Sequence, residues 1–244
     1  MSSDVISVSD LSFAYDKNLI LDNVNFSVKE GDFVAIVGEN GAGKSTLMNL
    51  ILHNLNNYDG EIKLFGTDIK EDNHFRDLAY ISQNSVLSYR NFPTTIEEAV
   101  KIHLSFLKKK TDASIYLKQV GLFEHRKKAL DELSGGQLQR LGIVLALIKD
   151  AKIIFLDEPT SGIDKKFADE FFQNLSTLKN QNKTVVVITH QLDLAKKYID
   201  YAIKIKDKKS MIINNNEISL WGELWIYLNT NLCNEHSSLE GWLQ

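Results

Sequence analysis

A glycine-rich segment that ends in a lysine and a serine is the part of this sequence best equipped for chemistry. The pattern G-x-x-x-x-G-K-S is filled by Gly38, Gly43, Lys44 and Ser45, and it predicts a loop that cradles phosphate groups. Glycine allows sharp turns and a close approach of the backbone to a ligand, and the backbone N–H groups form a concave anion site. Lys44 would add a positive charge for the β- and γ-phosphates, and the Ser45 hydroxyl would face Mg²⁺.

The residues on either side place this loop between a strand and a helix. Residues 33–37 form an apolar run typical of a buried parallel strand, and residues 46–52 have helical character. A helix that begins near Gly43 adds its positive dipole end to the anion site. A simple strand-to-helix turn is the alternative, but the register of the loop with both elements favours phosphate binding. The loop residues expected to contact the nucleotide are Gly38, Asn40, Gly41, Ala42, Gly43, Lys44, Ser45 and Thr46.

Two acidic residues follow a second apolar run at residues 153–156. The carboxyl end of a buried strand is where an open α/β sheet places its chemistry. We therefore expect Asp157 to hold Mg²⁺, directly or through water, and Glu158 to act as the general base toward the attacking water. An acidic helix N-cap is the alternative for this pair, and the phosphate loop upstream favours the catalytic interpretation. These residues by themselves indicate an ATP or GTP site.

A pentapeptide between these two motifs narrows the class of nucleotide site. Residues 133–137 read Leu-Ser-Gly-Gly-Gln, and residues 157–160 read Asp-Glu-Pro-Thr. Together with the phosphate loop, and in this order, they resemble the motifs of the nucleotide-binding subunits of ATP-binding-cassette (ABC) transporters. The resemblance runs from about residue 5 to residue 207. It implies ATP and Mg²⁺ as the bound cofactors and ATP hydrolysis coupled to transport as the activity.

The resemblance and the alternation of predicted strands and helices agree on the fold class. We expect an α/β protein: a P-loop NTPase core with a mainly parallel sheet, an N-terminal antiparallel β part and a helical signature subdomain. The chain is interpreted as a single ABC ATPase domain over residues 1–244. Its nucleotide-binding core is expected at residues 1–88 and 138–215, its helical subdomain at 89–137 and a C-terminal tail at 216–244.

The resemblance also implies roles for six further residues. Carried over position by position, they are Tyr15 stacking on adenine, Gln83 at Mg²⁺ and the γ-phosphate, Ser134 and Gly136 at the γ-phosphate of the opposite subunit, Asp164 in the loop crossing the dimer interface, and His190 at the γ-phosphate. Gln83 thus joins the predicted metal ligands as well as the catalytic residues. From the residues alone, Tyr15 is equally an ordinary strand aromatic, and Gln83 a surface glutamine. His190 follows a buried strand, and a capping role for its side chain is the alternative interpretation.

The start of the helix expected at residues 137–148 is the feature that indicates a dimer. A helix N-terminus preceded by small residues is a ready anion site. In the family this surface and the phosphate loop both face outward, so one subunit cannot close the two on each other. Two copies related by a two-fold axis can exchange them. The resemblance therefore implies that this chain pairs with a second copy of itself, or with a homologous ATPase, around two ATP molecules that hydrolysis removes.

Composition limits the remaining possibilities. The chain has 244 residues, 43% of them hydrophobic, and a formal net charge of −4, which argues against a nucleic-acid partner because such proteins show a basic face. The single cysteine, Cys233, excludes an internal disulfide and fits a reducing cytoplasm. No signal peptide is expected, and no apolar run approaches the ~20 residues that span a bilayer. We expect a cytoplasmic protein, peripheral to the inner face of the cell membrane, with the pore in another polypeptide.

Residues 91–100 bear on the transported substrate. They fall where the family meets its membrane partner, and Phe-Pro-Thr-Thr-Ile-Glu-Glu-Ala-Val is similar to the cassettes of zinc and manganese importers. A helix start is an equal interpretation, because Pro93 and Thr94 are favoured there. The leading hypothesis is the ATPase subunit of a divalent-metal importer. Its expected partners are transmembrane permease subunits, a second ATPase subunit and an extracellular substrate-binding protein, with no nucleic acid.

Two other functions are alternatives to a transporter ATPase. A soluble single-cassette ABC ATPase, such as an iron–sulfur cluster assembly factor, would lack a membrane partner. A regulatory module without turnover is disfavoured by the intact Glu158 and His190.

In the tail, the tryptophans and aliphatic residues of 221–228 suggest an amphipathic helix, while Cys233 and His236 are too few for a structural zinc site.

Replacing Lys44 with alanine is expected to abolish high-affinity nucleotide binding, because the variant lacks the charge that meets the β- and γ-phosphates. Isothermal titration calorimetry with ATP measures the loss. Lys110→Ala, in a predicted solvated loop, is the control and should bind ATP as the unmodified protein does. Tight ATP binding retained by Lys44→Ala would refute the assignment of the phosphate loop.

Overall fold

A computed structural model of the chain describes residues 3–82, 87–161, 165–214 and 217. The first sheet in these residues is built from β1 (Asp4–Tyr15), β2 (Asn18–Lys29), β4 (Asp59–Leu64) and β5 (Thr67–Asp68). Its strand order is β2-β1-β4-β5, and every neighbouring pair is antiparallel. The expected antiparallel β part near the N-terminus is therefore present, and its first two strands are 12 residues each.

The second sheet is mainly parallel. Its strands are β3 (Phe33–Val37), β6 (Leu78–Ser82), β7 (Ile153–Asp157), β8 (Thr184–Ile188), β9 (Tyr201–Lys206) and β10 (Lys209–Asn214). Their order is β10-β9-β3-β8-β7-β6, and only the edge strand β10 runs antiparallel to its neighbour. The predicted α/β class with a mainly parallel sheet is confirmed.

Six α-helices pack around these sheets in the described part of the chain. They are α1 (Lys44–Ile51), α2 (Ile96–Phe106), α3 (Ala113–Gln119), α4 (Gly135–Lys149), α5 (Lys165–Ser176) and α6 (Leu192–Ala195). Short 3₁₀ segments lie at Ser88–Asn91, Phe123–His125, Leu130–Glu132 and Thr177–Gln181. None of the helices in the described ranges is long and apolar enough to cross a membrane.

Two left-handed residues break the helices of the subdomain expected at residues 89–137. Lys108 (φ 55°) ends α2 and Gly121 (φ 67°) ends α3. After each of them, backbone hydrogen bonds return to the last helical turn, as in a Schellman motif. Gly121 was a visible stop signal in the sequence, whereas a lysine in this conformation carries no such signal.

The parallel sheet separates two hydrophobic cores. In β3, Phe33 and Ala35 face the core shared with α2 to α5, while Val34 and Ile36 face the core shared with α1 and the antiparallel sheet. β7 and β8 alternate in the same way. Because both faces are covered, these strands are continuous apolar runs. The loops at the strand ends are therefore the places where this sheet can present polar chemistry.

A β-bulge shapes the hairpin that lies beside the phosphate loop. The register of β1 with β4 shifts between Ser9 and Ser12, where Asp10 is left-handed (φ 50°). The bulge requires glycine at position 60 of β4, because a Cβ there would lie 2.5 Å from the backbone oxygen of Asp10. Beyond Ser12, β1 continues with β2 alone and ends at Tyr15.

Gly60→Ala is expected to lower the free energy of unfolding by about 3 kcal/mol, through the close contact with Asp10 and a left-handed backbone that disfavours any side chain. Gly66→Ala is the matched control, since Gly66 has a similar φ of 85° but nothing within 4 Å of the added Cβ. The control should cost about 1 kcal/mol. Urea denaturation followed by circular dichroism compares the two, and equal losses would contradict the steric role of Gly60.

Candidate functional site

The predicted chemistry converges at one edge of the parallel sheet. β3, β8 and β7 are neighbours and run in the same direction, so their carboxyl ends lie together. β3 leads into Gly38, β7 ends at Asp157, and His190 follows two residues after the end of β8. Strand register aligns these ends, because Ile188 pairs with Ile36 of β3 on one side and with Asp157 of β7 on the other.

The phosphate loop has the backbone that its glycines were expected to supply. Gly38 passes so close to β9 that a Cβ would lie 2.4 Å from the backbone oxygen of Ile205. Gly41 (φ 81°) and Gly43 (φ 100°) are left-handed. A Cβ on Gly43 would also lie 3.0 Å from the side chains of Ile20 and Leu21. Any other residue at Gly38 would displace the backbone of β9, and one at Gly43 would require the side chains of Ile20 and Leu21 to shift.

Lys44 is folded back into its own loop. Its side chain is buried (7% exposed), and its Nζ donates hydrogen bonds of 2.9 Å to the backbone oxygens of Gly38 and Glu39. Ser45 follows on the exposed side of the first turn of α1. Among the described residues, no side chain caps this turn and none of its residues is acidic. The helix start therefore keeps N–H groups and a positive dipole end for an anion.

Asp157 has a partner that the sequence did not reveal. Along β7, Ile153 and Phe155 face α1, and the alternation puts Asp157 on the same side. The phenol of Tyr80 donates a hydrogen bond of 3.1 Å to Asp157 Oδ2. Burial, and after it the nearby charge of Asp157, raises the pKa of Tyr80 to about 12, so the phenol keeps its proton near neutral pH.

Glu158 and His190 are brought together by an unusual backbone turn. Glu158 is left-handed (φ 48°), and its N–H donates to the backbone oxygen of Ile188 at 3.0 Å. His190 Nδ1 lies 2.8 Å from Glu158 Oε2. A left-handed glutamate costs about 1–2 kcal/mol, and such strain is typical of functional positions. The structure thus joins the candidate base to the histidine expected at the γ-phosphate, 32 residues away in sequence.

Gln191 is a second residue that the sequence did not single out. Its side-chain Nε2 donates to the backbone oxygen of Thr160 at 3.4 Å, and its backbone N–H donates to Thr189 Oγ1 at 3.0 Å. Thr160 and Thr189 are fully buried. These contacts connect the loop that carries Glu158 to the loop that carries His190.

Tyr15 lies at the tip of the β1–β2 hairpin. It pairs with Asn18 across a two-residue turn, is 48% exposed and packs edge-to-face on Phe13 with the ring centroids 4.9 Å apart. The adjoining start of β2 contacts the phosphate loop, because Ile20 lies against Gly43. An exposed aromatic face near this loop suits stacking on a base, and that role stays a prediction.

The Leu-Ser-Gly-Gly-Gln motif forms the exposed start of α4. Ser134 is the N-cap, and it forms a capping box with Gln137: the Gln137 N–H donates to Ser134 Oγ at 3.3 Å, and the Ser134 N–H donates to Gln137 Oε1 at 3.2 Å. Ser134 and Gly135 are exposed and Gly136 is partly exposed. The helix N-terminus therefore faces outward, as a surface for a second subunit requires.

Hydrogen bonds tie the start of α4 to the segment at residues 90–97. Arg90 Nη2 donates to the backbone oxygen of Leu133 at 2.7 Å. Three backbone hydrogen bonds of 2.9–3.1 Å follow between the two strips, from Leu130 to Thr94, from Ile96 to Lys128 and from Glu97 to Arg126. Arg90 was not among the expected residues, since nothing local to it marks a partner 43 residues away.

Several expected residues lie outside the described part of the chain. They are Gln83, Asp164 and the tail residues 218–244, which include the suggested amphipathic helix, Cys233 and His236. The roles given to them stay predictions.

The family of the chain is shown by its sequence relatives. A family model described as "ABC transporter" matches residues 21–161. The zinc uptake system ATP-binding protein ZurA of Listeria monocytogenes is 33% identical over 214 residues, which cover 84% of this chain and 83% of that protein. The manganese transport system ATP-binding protein MntB of Halalkalibacterium halodurans is 35% identical over 211 residues, 82% of each chain.

Solved structures agree on the fold. The cbiO1 protein from Clostridium perfringens, part of the ABC transporter complex cbiONQ, superposes with a TM-score of 0.78 at 23% identity and covers 97% of this chain and 99% of its own. The ADP conformation of MJ1267, an ATP-binding cassette of an ABC transporter, has a TM-score of 0.76 at 26% identity and covers 89% and 94%.

This chain belongs to the ABC transporter family. It is an ATP-binding subunit whose ATPase activity is coupled to transport. The alternative of a soluble iron–sulfur assembly factor is not favoured, because the relatives are subunits of transport systems.

Proposed function

We propose that this chain hydrolyses ATP at the inner face of the cell membrane to drive import of a divalent metal ion, zinc or manganese, through a separate permease. The hydrolytic part rests on one observation above the others: the 2.8 Å approach of His190 to Glu158 at the sheet edge that also carries the phosphate loop. The choice of cargo rests on 33–35% identity, over more than four fifths of the chain, to proteins named for zinc and manganese transport.

The phosphate loop is proposed to bind the triphosphate by exchanging contacts of Lys44. Its ammonium group leaves the backbone oxygens of Gly38 and Glu39 and meets the β- and γ-phosphate oxygens. The uncapped first turn of α1 offers N–H groups to the same phosphates. Tyr15 covers the adenine with the exposed face of its ring.

Two described residues suit Mg²⁺. Ser45 presents a hydroxyl at the exposed first turn of α1, and Asp157 presents a carboxylate from the sheet face that packs on α1. Hydroxyl and carboxylate oxygens are the donors that this ion prefers, with phosphate oxygens and water completing its shell. Mg²⁺ bound there would neutralise phosphate charge, and Gln83 is the third proposed ligand.

Glu158 is proposed to accept a proton from the attacking water. As the water oxygen bonds to the γ-phosphorus, the bond to the β–γ bridging oxygen breaks and ADP leaves. His190 orients the Glu158 carboxylate through the 2.8 Å contact and meets the γ-phosphate. The left-handed turn sets the direction in which the Glu158 side chain leaves the backbone, and the contact with His190 limits the reorganisation of its carboxylate at the moment of reaction.

A second subunit would complete each site. Ser134 Oγ accepts the Gln137 N–H in the capping box, which leaves the hydroxyl proton free to donate to a phosphate oxygen. Together with Gly136 it is proposed to meet the γ-phosphate bound by the partner, while Asp164 contacts the interface. ATP then holds the dimer closed, and hydrolysis opens it.

The permease is proposed to contact residues 91–100. Phe92 is 59% exposed in this strip. The bonds from Arg90 to Leu133 and from Leu130 to Thr94 attach the strip to the residues just before Ser134. Movement of the ATP-contacting helix start would therefore carry the permease-contacting strip with it.

Glu158→Gln is expected to bind ATP without turnover and to accumulate as a dimer, because the amide cannot take the proton from water. Size-exclusion chromatography with ATP and Mg²⁺ measures the dimer, and phosphate release should fall by about 10²–10⁴-fold. A species that stays monomeric with ATP would count against Glu158 as the base.

Adding Ser134→Asp to Glu158→Gln provides a matched control for the dimer. Aspartate is as good an N-cap as serine, so the stability of the chain should be kept. Its negative charge would meet the γ-phosphate of the partner, and the double variant should remain monomeric with ATP. A stable ATP-dependent dimer of this variant would show that Ser134 lies away from the phosphate.

The cargo can be tested with the intact transporter. Affinity purification of the tagged chain from native membranes should recover an integral membrane permease. After reconstitution in liposomes, ATP should drive uptake of radioactive Zn²⁺ or Mn²⁺, and the Lys44→Ala complex should show none. A permease complex that moves another solute and neither metal would contradict the proposed cargo.

A further inference from the structure

We propose that Tyr80 is a positioning residue for Asp157: its phenol O–H holds one carboxylate oxygen so that the other faces the bound nucleotide and its Mg²⁺. The inference rests on the proposed role of Asp157 as a metal ligand. It assigns to Tyr80 a function in the reaction that its place in the middle of a strand does not suggest.

The strand register brings the two side chains to one face. β6 and β7 run parallel, with Tyr80 opposite Phe155 and Ser82 opposite Asp157. Because side chains alternate along a strand, residues 80 and 82 share the face of residues 155 and 157. The long tyrosine side chain reaches two positions along its own strand, to a hydrogen bond of 3.1 Å with Asp157 Oδ2.

This bond acts on a carboxylate that would otherwise turn. Rotation about the terminal torsion of an aspartate is broad, so an unheld carboxylate presents either oxygen in many directions. With Oδ2 engaged by the phenol, Oδ1 is the oxygen left for a ligand. A partner that orients a metal-binding side chain in this way typically contributes about 10–100-fold to metal affinity or activity.

The bond also joins the two strands that lead to the proposed Mg²⁺ ligands. β6 ends at Ser82, the residue immediately before Gln83, and β7 ends at Asp157. The Tyr80–Asp157 bond therefore connects β6 to the end of β7. A phenylalanine at position 80 would keep the packing of the ring and lose the link.

The fold also contains a matched bond of the same type far from the site. Tyr201 O–H donates to Asp32 Oδ2 at 3.0 Å near the start of β3 and β9. It lies at the opposite end of the strands from Asp157. Tyr201→Phe therefore removes a comparable tyrosine–aspartate bond without touching the phosphate edge.

The test compares metal affinity in the Glu158→Gln background, where ATP is bound and not consumed. Mn²⁺ binding to the ATP-loaded protein is measured by electron paramagnetic resonance, and ATP binding in EDTA by calorimetry. Tyr80→Phe is expected to weaken Mn²⁺ binding about 10-fold with no change in the ATP dissociation constant in EDTA. Tyr201→Phe should leave both quantities unchanged.

The outcomes separate this inference from the proposed function. Unchanged or tighter Mn²⁺ binding in Tyr80→Phe, with weakened binding in Asp157→Asn, overturns the role of Tyr80 and leaves the site intact. Unchanged Mn²⁺ binding in Asp157→Asn overturns both assignments. Loss of Mn²⁺ affinity in Tyr201→Phe as well would mean that general loosening of the sheet is the cause, which also overturns the role of Tyr80.

Discussion

Burial of the parallel sheet on both faces is the constraint from which the rest of this molecule follows. β3, β7 and β8 give their side chains to two hydrophobic cores, one with the helices α2 to α5 and one with α1 and the antiparallel sheet. Polar groups are therefore confined to the strand ends. Because the three strands are parallel neighbours, the phosphate loop, Asp157 and His190 meet there although they come from distant parts of the chain.

The backbone at this edge of the sheet adopts its left-handed conformations in two different ways. In the phosphate loop, glycine accepts left-handed turns and the close approach of Gly38 to Ile205 at little steric cost. Glu158 adopts a left-handed turn with a side chain present, and the turn is held by the hydrogen bond from its N–H to Ile188. The first solution leaves room for a ligand, and the second aims a carboxylate at His190.

Hydrogen bonds join two surface segments of the helical part. The exposed start of α4 carries Ser134, and the strip at residues 90–97 is bound to the residues before it by Arg90 and by three backbone hydrogen bonds. These bonds connect the two segments, so a shift of one can be passed to the other.

Local patterns determined most of the elements of this protein. Gly38 to Ser45 specify the phosphate loop because glycine, lysine and serine act over a few residues, and the apolar runs specify buried strands because both of their faces are covered. Local patterns did not reveal the end of α2 at Phe106, because the left-handed lysine at position 108 carries no sequence signal for such a turn. Only the tertiary structure decided that Tyr80 holds Asp157, 77 residues away, that Arg90 holds Leu133, and that His190 reaches Glu158. Those contacts depend on strand register and on the packing of one segment against another, and neither is encoded within any single stretch of the chain.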